Sequence, residues 1–533
     1  MQSTTLVSER GPLASNDIAS WVILVATVGY LGLLTFNSVT RGGRFTPDSM
    51  NYVNVARNIA AGKGITQPTL GFNQYQFSPN DRIPTPLTAQ GPLYPLLIAL
   101  GCKLGISALK SALLISAVGG AMVFLLSYFL AEKLYDKNAA LIAVGLLLFY
   151  YPLRVVAEIA LTDSVGIALV LLSLWLFTKN QATQSPLYPF FTGLISGLVF
   201  TTRYALLPIV FVGLLVWLIR RRKWRSKLLS GCLYLIGFCV PAGAVLGRNF
   251  FVSGSVLPSF SPSALNLKQN FIASFHALFG HYLNASFPRF QFELFTLLVL
   301  AIWVALALRR DVQSGITQVF FANNRYVLTL WSFVYLSFLI VERSRTHFDP
   351  IDARFIAPAG VVMILLGAGL VARVTKGHSG WVKPFVIVSL IFILCREIWI
   401  SKQSPVWDLQ HAIRNSDRLT WIAKNTSKHD LIIGNNTMDL PFFLNREFTV
   451  SFSPYPYTDY ANYEKLMAYC RNHCGDYPNM YLVISTRSEP ESTWKKDYGD
   501  FVTDLVFGHT ESYPNLTLLE QLRDGVIFKI RCR

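Results

Sequence analysis

Long apolar runs with few or no charged residues dominate the chain and dictate its class. Ile18 to Phe36 is long enough to cross a hydrocarbon core of about 30 Å. Similar runs occupy about 110–132, 138–153, 155–178, 190–219, 228–247, 291–308, 326–341, 356–372 and 384–400. Only 14% of the 533 residues are charged, against about 25% in an ordinary soluble domain. Such a chain cannot coat a soluble globule of its size. The expectation is a mainly α, polytopic membrane protein whose first run is a retained helix, because no convincing small-residue cleavage site follows it.

The net charge of +17 would suggest nucleic acid in a soluble protein. Here Lys and Arg gather between apolar runs, as in Arg220-Arg221-Arg222-Lys223-Trp224-Arg225-Ser226-Lys227, where they act as cytoplasmic anchors. No nucleic-acid motif accompanies them. The run 190–219 is too long for one span and contains Arg203. A helical hairpin turning at Thr201-Thr202-Arg203 puts the basic cluster on the same side as Lys133, Lys137 and Arg325. That gives about eleven membrane segments, a cytoplasmic N-terminus and an outer C-terminus. Residues 1–403 form the membrane domain and 404–533 an extracytoplasmic α/β domain. Within the latter, helices are expected over 419–424 and 460–470 and strands over 430–434, 481–484 and 525–530. Cys470, Cys474 and Cys532 allow one disulfide, with the pairing open.

This topology sorts the scarce carboxylates outside the tail. Asp48, Asp81, Glu158, Asp163, Glu293, Glu342, Asp349 and Asp352 all fall on the outer face. In the large loop 37–95, Thr46 suits an N-cap, Pro47 a first helical position and Gly62 a stop. Asp48 then sits in a first helical turn, as an ionised carboxylate able to accept a hydroxyl proton or bind a metal. Alternatively it merely decorates the helix start. Tyr52, Val55, Ala56 and Ile59 make an apolar stripe that would lay this helix along the membrane surface. Glu158 and Asp163 open an uncharged span, and on one continuous helix they point in different directions; Asp163 is the better partner for Asp48. Arg203 and the arginines Arg343, Arg345 and Arg354 lie on the same face, where guanidinium forks suit lipid phosphate or pair with Asp349 and Asp352. His276, His281 and His347 lack metal-ligand spacing.

Asp48 with Tyr52, Ala56 and Gly62-Lys63-Gly64, then Gly91-Pro92-Leu93-Tyr94-Pro95, Thr162-Asp163, and Arg354-Phe355 with Pro358 resemble the GT-C fold. More narrowly, the order resembles the family of protein O-mannosyltransferases and lipid A aminoarabinose transferases. The resemblance implies a glycosyltransferase of a cell inner (plasma) membrane using a polyprenyl-phosphate-linked sugar donor, with inversion and hexosyl or pentosyl transfer to a lipid, glycan or protein acceptor outside the cytoplasm. It implies Asp48 as the residue that serves the acceptor hydroxyl and Asp163 as a second acid; with the outer-face residues above, the candidate catalytic acids are Asp48, Asp163 and Glu158, and the candidate donor-binding residues are Arg203, Arg343, Arg345, Arg354, Tyr52 and Lys63. A divalent cation, Mg or Mn, between Asp48 and Asp163 is compatible with it and not required. The mannosyltransferases' Asp-Glu pair reads Asp48-Ser49 here, and the aminoarabinose transferases' Glu-Lys-Pro-Pro reads Ala89-Gln90-Gly91-Pro92. The particular sugar is therefore open. A transporter or flippase of a lipid-linked sugar is the alternative class, and it would call for mid-membrane acids and repeated halves.

Overall fold

A computed structural model describes residues 45–70, 83–179, 187–219, 223–257, 265–280, 324–346, 351–374, 415–451 without 436 and 438, 462–486 and 490–532, with a few isolated positions besides. The expected segments at 18–36, 291–308 and 384–400 and the expected domain boundary at 403/404 lie outside these residues, apart from isolated positions within the first and last of those segments.

Among the described residues four helices are long and apolar enough to cross a membrane: α3 (Ala108–Leu134), α9 (Trp224–Ser253), α11 (Tyr326–Arg345) and α12 (Ala353–Val374). Shorter apolar helices join them: α2 (Leu93–Lys103), α4 (Lys137–Leu148), α5 (Tyr151–Glu158), α6 (Asp163–Phe177), α7 (Tyr188–Thr202) and α8 (Pro208–Ile219). The chain is a multi-pass membrane protein with a C-terminal domain. Its largest core includes Phe177, Trp217, Tyr234 and Trp331 from α6, α8, α9 and α11.

The stretch 155–178 is not one helix. α5 ends at Glu158 and a new helix begins at Asp163, with Ile159 extended between them. A carboxylate beside the free N–H groups of a first turn favours that restart. Glu158 and Asp163 are thus freed from a common helical phase.

The hairpin within 190–219 is present. Along α7 and α9 the contacts rise together: Phe190 meets Gly237, Gly193 meets Tyr234 and Phe238, and Gly197 meets Phe238 and Pro241. The two helices therefore run parallel, and α8, which joins the end of one to the start of the other, must run back. Gly193 and Gly197 let the backbones approach so closely that a Cβ at either position would collide with α9. Arg203 sits at the turn in extended conformation.

The loop after the first segment is largely structured. α1 (Pro47–Ala60) is followed by β1 (Thr66–Gln67), β2 (Thr69–Leu70) and β3 (Thr85–Pro86), with β1 and β3 antiparallel. The apolar stripe of α1 does not face lipid: Tyr52, Val53 and Ala56 are buried with Tyr94 and Ile98 of α2. A second helix, α10 (Leu267–Gly280), lies in the loop after α9.

The tail folds as expected, with more elements than its signals announced. It holds α13 (Asp417–Asn425), β4 (Leu431–Gly434), α14 (Asp439–Leu444), β5 (Thr449–Ser451), α15 (Tyr463–Asn472), β6 (Met480–Ser485), α16 (Glu491–Phe507), β7 (Leu516–Leu522) and β8 (Gly525–Ile530). Leu431 and Ile433 face one core while Ile432 faces another, the two-residue alternation of a strand covered on both sides. The sheet order is β2-β5-β4-β6-β8-β7. Its edge strand β2 comes from the loop of the membrane half and runs parallel to β5. α14 also docks on α1: Arg57 donates to the carbonyls of Pro441 (3.0 Å) and Phe442 (3.2 Å), and Phe442 packs on Phe45.

Candidate active site

The site begins at the first turn of α1. Thr46 Oγ1 accepts from the Ser49 amide at 3.2 Å, and Ser49 Oγ accepts from the Thr46 amide at 3.3 Å. This reciprocal cap and Pro47 fix where the helix starts. Asp48 is thereby held at the positive end of the helix with its side chain 30% exposed. Gln90 Nε2 donates to its Oδ1 at 2.8 Å, and Arg354 Nη1 approaches its Oδ2 at 3.4 Å.

Arg354 stands in the first turn of α12, which Asp352 caps. Asp352 Oδ1 accepts from the amides of Arg354 (2.9 Å) and Phe355 (3.3 Å). Its Oδ2 also takes the Arg354 Nε at 3.4 Å. One guanidinium is shared between two carboxylates.

The second pair is tighter and deeper. Asp163, 3% exposed at the start of α6, pairs with Arg203 of the hairpin turn. The Arg203 guanidinium lies 4.4 Å from the centre of the Phe355 ring, and that of Arg354 lies 5.9 Å from the same ring. Phe355 therefore brings the two arginines to one place. Gly91 supports the turn from below: a Cβ there would collide with the carbonyl oxygens of Thr201 and Thr202.

Tyr52, one helical turn after Asp48, joins the pairs. Its buried phenol is hydrogen-bonded to Thr162 and feels the charges of Asp48, Arg203 and Arg354. Burial raises its pKa, the neighbouring Asp48 raises it further, and the group stays a neutral phenol. An edge-on contact with Tyr94 at 5.4 Å holds the ring.

Of the residues singled out in the sequence, Asp48, Tyr52, Asp163, Arg203 and Arg354 come together. The others engage elsewhere. Glu158 accepts from Arg154 Nε at 2.7 Å within α5. Lys63 reaches Glu447 of the tail at 3.7 Å. Arg343 is buried and donates to Ser263 Oγ at 3.0 Å, while Arg345 is exposed and offers its backbone carbonyl to the Ser263 amide. Sequence reasoning missed Gln90 and Phe355 as site residues, although both stand inside the quoted motifs. It read Asp352 only as an arginine partner and overlooked its place as a cap.

A metal ion fits poorly between the two carboxylates, since each already faces an arginine. Among the described residues no group of three or more His, Cys, Asp or Glu is placed to hold an ion.

A family profile described as dolichyl-phosphate-mannose-protein mannosyltransferase matches residues 89–244. The whole chain is similar to the crystal structure of ArnT from Cupriavidus metallidurans bound to undecaprenyl phosphate, with a TM-score of 0.61, 14% identity, and coverage of 97% of this chain and 98% of that one. The chain has the GT-C fold. The apo form of the same ArnT gives a TM-score of 0.60 at 13% identity, covering 96% and 98%. The apo oligosaccharyltransferase of Archaeoglobus fulgidus gives 0.50 at 13% identity, covering 97% of this chain and 74% of that one. No curated protein sequence matches the chain. Within this GT-C fold, α1, the start of α6, the hairpin turn and the start of α12 are the elements that carry the acidic and basic cluster.

Proposed function

We propose that this chain is an integral-membrane glycosyltransferase that moves a hexosyl or pentosyl group from a polyprenyl-phosphate donor to a lipid, glycan or protein hydroxyl on the extracytoplasmic side, with inversion. The observation that carries the reading is the meeting of a partly exposed carboxylate, Asp48, with two arginines gathered on Phe355. The ArnT structure it resembles is described as bound to undecaprenyl phosphate, which supports a polyprenyl-phosphate carrier.

In this mechanism Asp48 accepts the proton of the acceptor hydroxyl as its oxygen bonds to the anomeric carbon. The bond from that carbon to the phosphate oxygen breaks, and its electron pair leaves with the carrier phosphate. Charge builds on that phosphate, where Arg354 and Arg203 stabilise it. Attack opposite the leaving phosphate inverts the anomeric centre. Asp163, buried and committed to Arg203, orients the guanidinium rather than taking a proton. Tyr52 remains neutral and acts only through its hydrogen bond. The active face and the tail domain lie outside an inner membrane, with the N-terminus inside. No step needs a metal.

Purified Asp48→Asn should insert and fold normally yet lose transfer by about 10²- to 10⁴-fold, the usual scale of general-base catalysis. Near-normal turnover of that variant would refute the assignment.

A further inference from the structure

Three cysteines gather at one end of the tail sheet, in a part of the fold that the proposed chemistry does not use. Cys470 lies in the last turn of α15, Cys474 just past its end and Cys532 just past the end of β8. The sheet register explains the meeting. β6 and β8 are antiparallel with Tyr481 opposite Lys529, so the chain leaving β8 is delivered beside the turn that leads from α15 into β6. There Cys532 Sγ lies 3.7 Å from Sδ of Met480, the first residue of β6. The side chains of Cys474 and Cys532 are hydrogen-bonded to each other. Cys470 is buried with Met480 in the core against which Cys532 packs, within electrostatic reach of both other thiols.

Three thiols offer three pairings, and the fold distinguishes them. The helical path continues past Asn472, with the His473 amide donating to the Tyr469 carbonyl at 3.1 Å and the Cys474 amide to that of Arg471 at 3.4 Å. Cys470 and Cys474 are therefore helical neighbours. Their Cβ atoms stand about 5–6 Å apart, wider than the about 3.5–4.5 Å of a disulfide, so joining them would unwind the end of α15. Cys470 is also 0% exposed, whereas Cys474 is exposed and Cys532 is half-buried. Thiol–disulfide exchange starts at a sulfur that an oxidant can reach. That favours Cys474 as the point of entry and Cys532, already hydrogen-bonded to it, as the second sulfur. Burial first, with Cys474 adding, pushes the Cys532 thiol up to about 12. The part due to Cys474 vanishes once that sulfur is bonded, which makes Cys532 the later of the two to react.

We propose that Cys474 and Cys532 form a disulfide in the native protein, that this bond clips the end of β8 to the end of α15, and that Cys470 stays a thiol beneath it. The inference rests on the outward-facing tail of the proposed function, because disulfides persist in oxidising compartments outside the cytoplasm. The oxidant is itself a disulfide, of a protein or of the glutathione type. The Cys474 thiolate attacks one of its sulfurs and displaces the other as a thiolate. Cys532, giving up its proton, then attacks the Cys474 sulfur and displaces the remaining half. Two protein thiols become one disulfide, the oxidant's disulfide becomes two thiols, and the two protons end on the departing sulfurs. The bond closes a loop of about sixty residues that holds β6, α16, β7 and β8.

The test uses the full chain. Reduced protein in lipid nanodiscs is incubated with glutathione disulfide, unfolded, alkylated and mapped by mass spectrometry. A peptide joining Cys474 to Cys532, with Cys470 alkylated, is the expected result. A bond that includes Cys470, or glutathione left on Cys474 with no bond formed, overturns the pairing. Trypsin should cut the oxidised parent between Cys474 and Cys532 at least about tenfold more slowly than the reduced parent, while Cys474→Ala is cut at the faster rate with or without reductant. Equal rates for oxidised and reduced parent overturn the clip. In spheroplasts, a membrane-impermeant maleimide should reach Cys474 only after a reductant is added. Labelling without reductant overturns the bond in the cell while upholding the outward tail. Labelling only after lysis overturns the outward tail itself, and with it the bond in the cell, whatever the purified chain does.

Discussion

Replacing Arg203 by Gln separates what its ion pair does for the fold from what it does for chemistry. Asp163 is 3% exposed, so losing its partner strands a carboxylate away from water. Breaking one side of a buried pair costs about 3–5 kcal/mol. The Arg203 side chain is 18% exposed, so some water reaches the pair and the lower end, about 3 kcal/mol, applies. Lost contact with Phe355 adds about 0.5–1 kcal/mol. The double variant Asp163→Asn/Arg203→Gln removes the stranded charge and should recover to within about 1 kcal/mol of the parent, about 2.5–3 kcal/mol better than Arg203→Gln alone. Unfolding by detergent titration in bicelles, followed by circular dichroism, reads these differences. Transfer by the same preparations should stay low in the double variant, because the phosphate partner is still missing. The reasoning fails if Arg203→Gln alone costs less than about 1 kcal/mol, or if the double variant is no more stable than the single one. Recovery of transfer along with stability would leave Arg203 a purely structural role.

Gly91→Ala forces a methyl into the Thr201 and Thr202 carbonyls, so stability should fall by about 1–3 kcal/mol, with a matching loss of transfer measured in the same membranes. Lys63→Ala breaks a pair whose partners are 47% and 30% exposed; it should cost less than about 1 kcal/mol and leave the donor KM unchanged. In the tail, burial first, with Cys532 and Cys474 adding, pushes the Cys470 thiol up to about 12. An unfolded thiol titrates near about 8.5, so this preference stabilises the fold fully below that pH and is lost as pH rises towards 12. The pH 8 to 10 loss of stability of the chain should be smaller in Cys470→Val.

The helices were legible because each is a long apolar run, and the hairpin because Arg203 and the basic cluster could not otherwise be reconciled with charge placement. α1 was legible to the residue, since Thr46, Pro47 and Gly62 each have a local backbone reason to be where they are. Less visible was anything decided by partners distant in sequence. β2 is two residues long and owes its existence to β5, nearly four hundred residues on. α2 opens without a side-chain cap at Pro92, inside what read as loop. What covers the apolar face of α1 was not visible, because an apolar stripe announces a buried face without saying whether lipid or α2 lies on it. Lys63, Arg343 and Arg345 carried the right charge on the expected side, and only packing could show that Glu447 and Ser263 engage them.

The two acid–arginine pairs look equivalent in sequence and are not equivalent in structure. Arg203 faces one buried carboxylate and is held by it. Arg354 stands 3.4 Å from Asp48 and 3.4 Å from Asp352, both longer than the 2.7–2.9 Å of a well-formed charged hydrogen bond. A guanidinium divided in this way forms a close pair with neither of these two carboxylates, so a phosphate offering two oxygens competes with two long contacts rather than two short ones. In the proposed mechanism that exchange has a direction. As the donor phosphate draws Arg354 away, Asp48 loses a neighbouring cation while Gln90 still donates to its Oδ1. It becomes a stronger base when, and because, the leaving group is in place. Asp163 cannot respond in this way, for its carboxylate is buried against an arginine already fixed on Phe355.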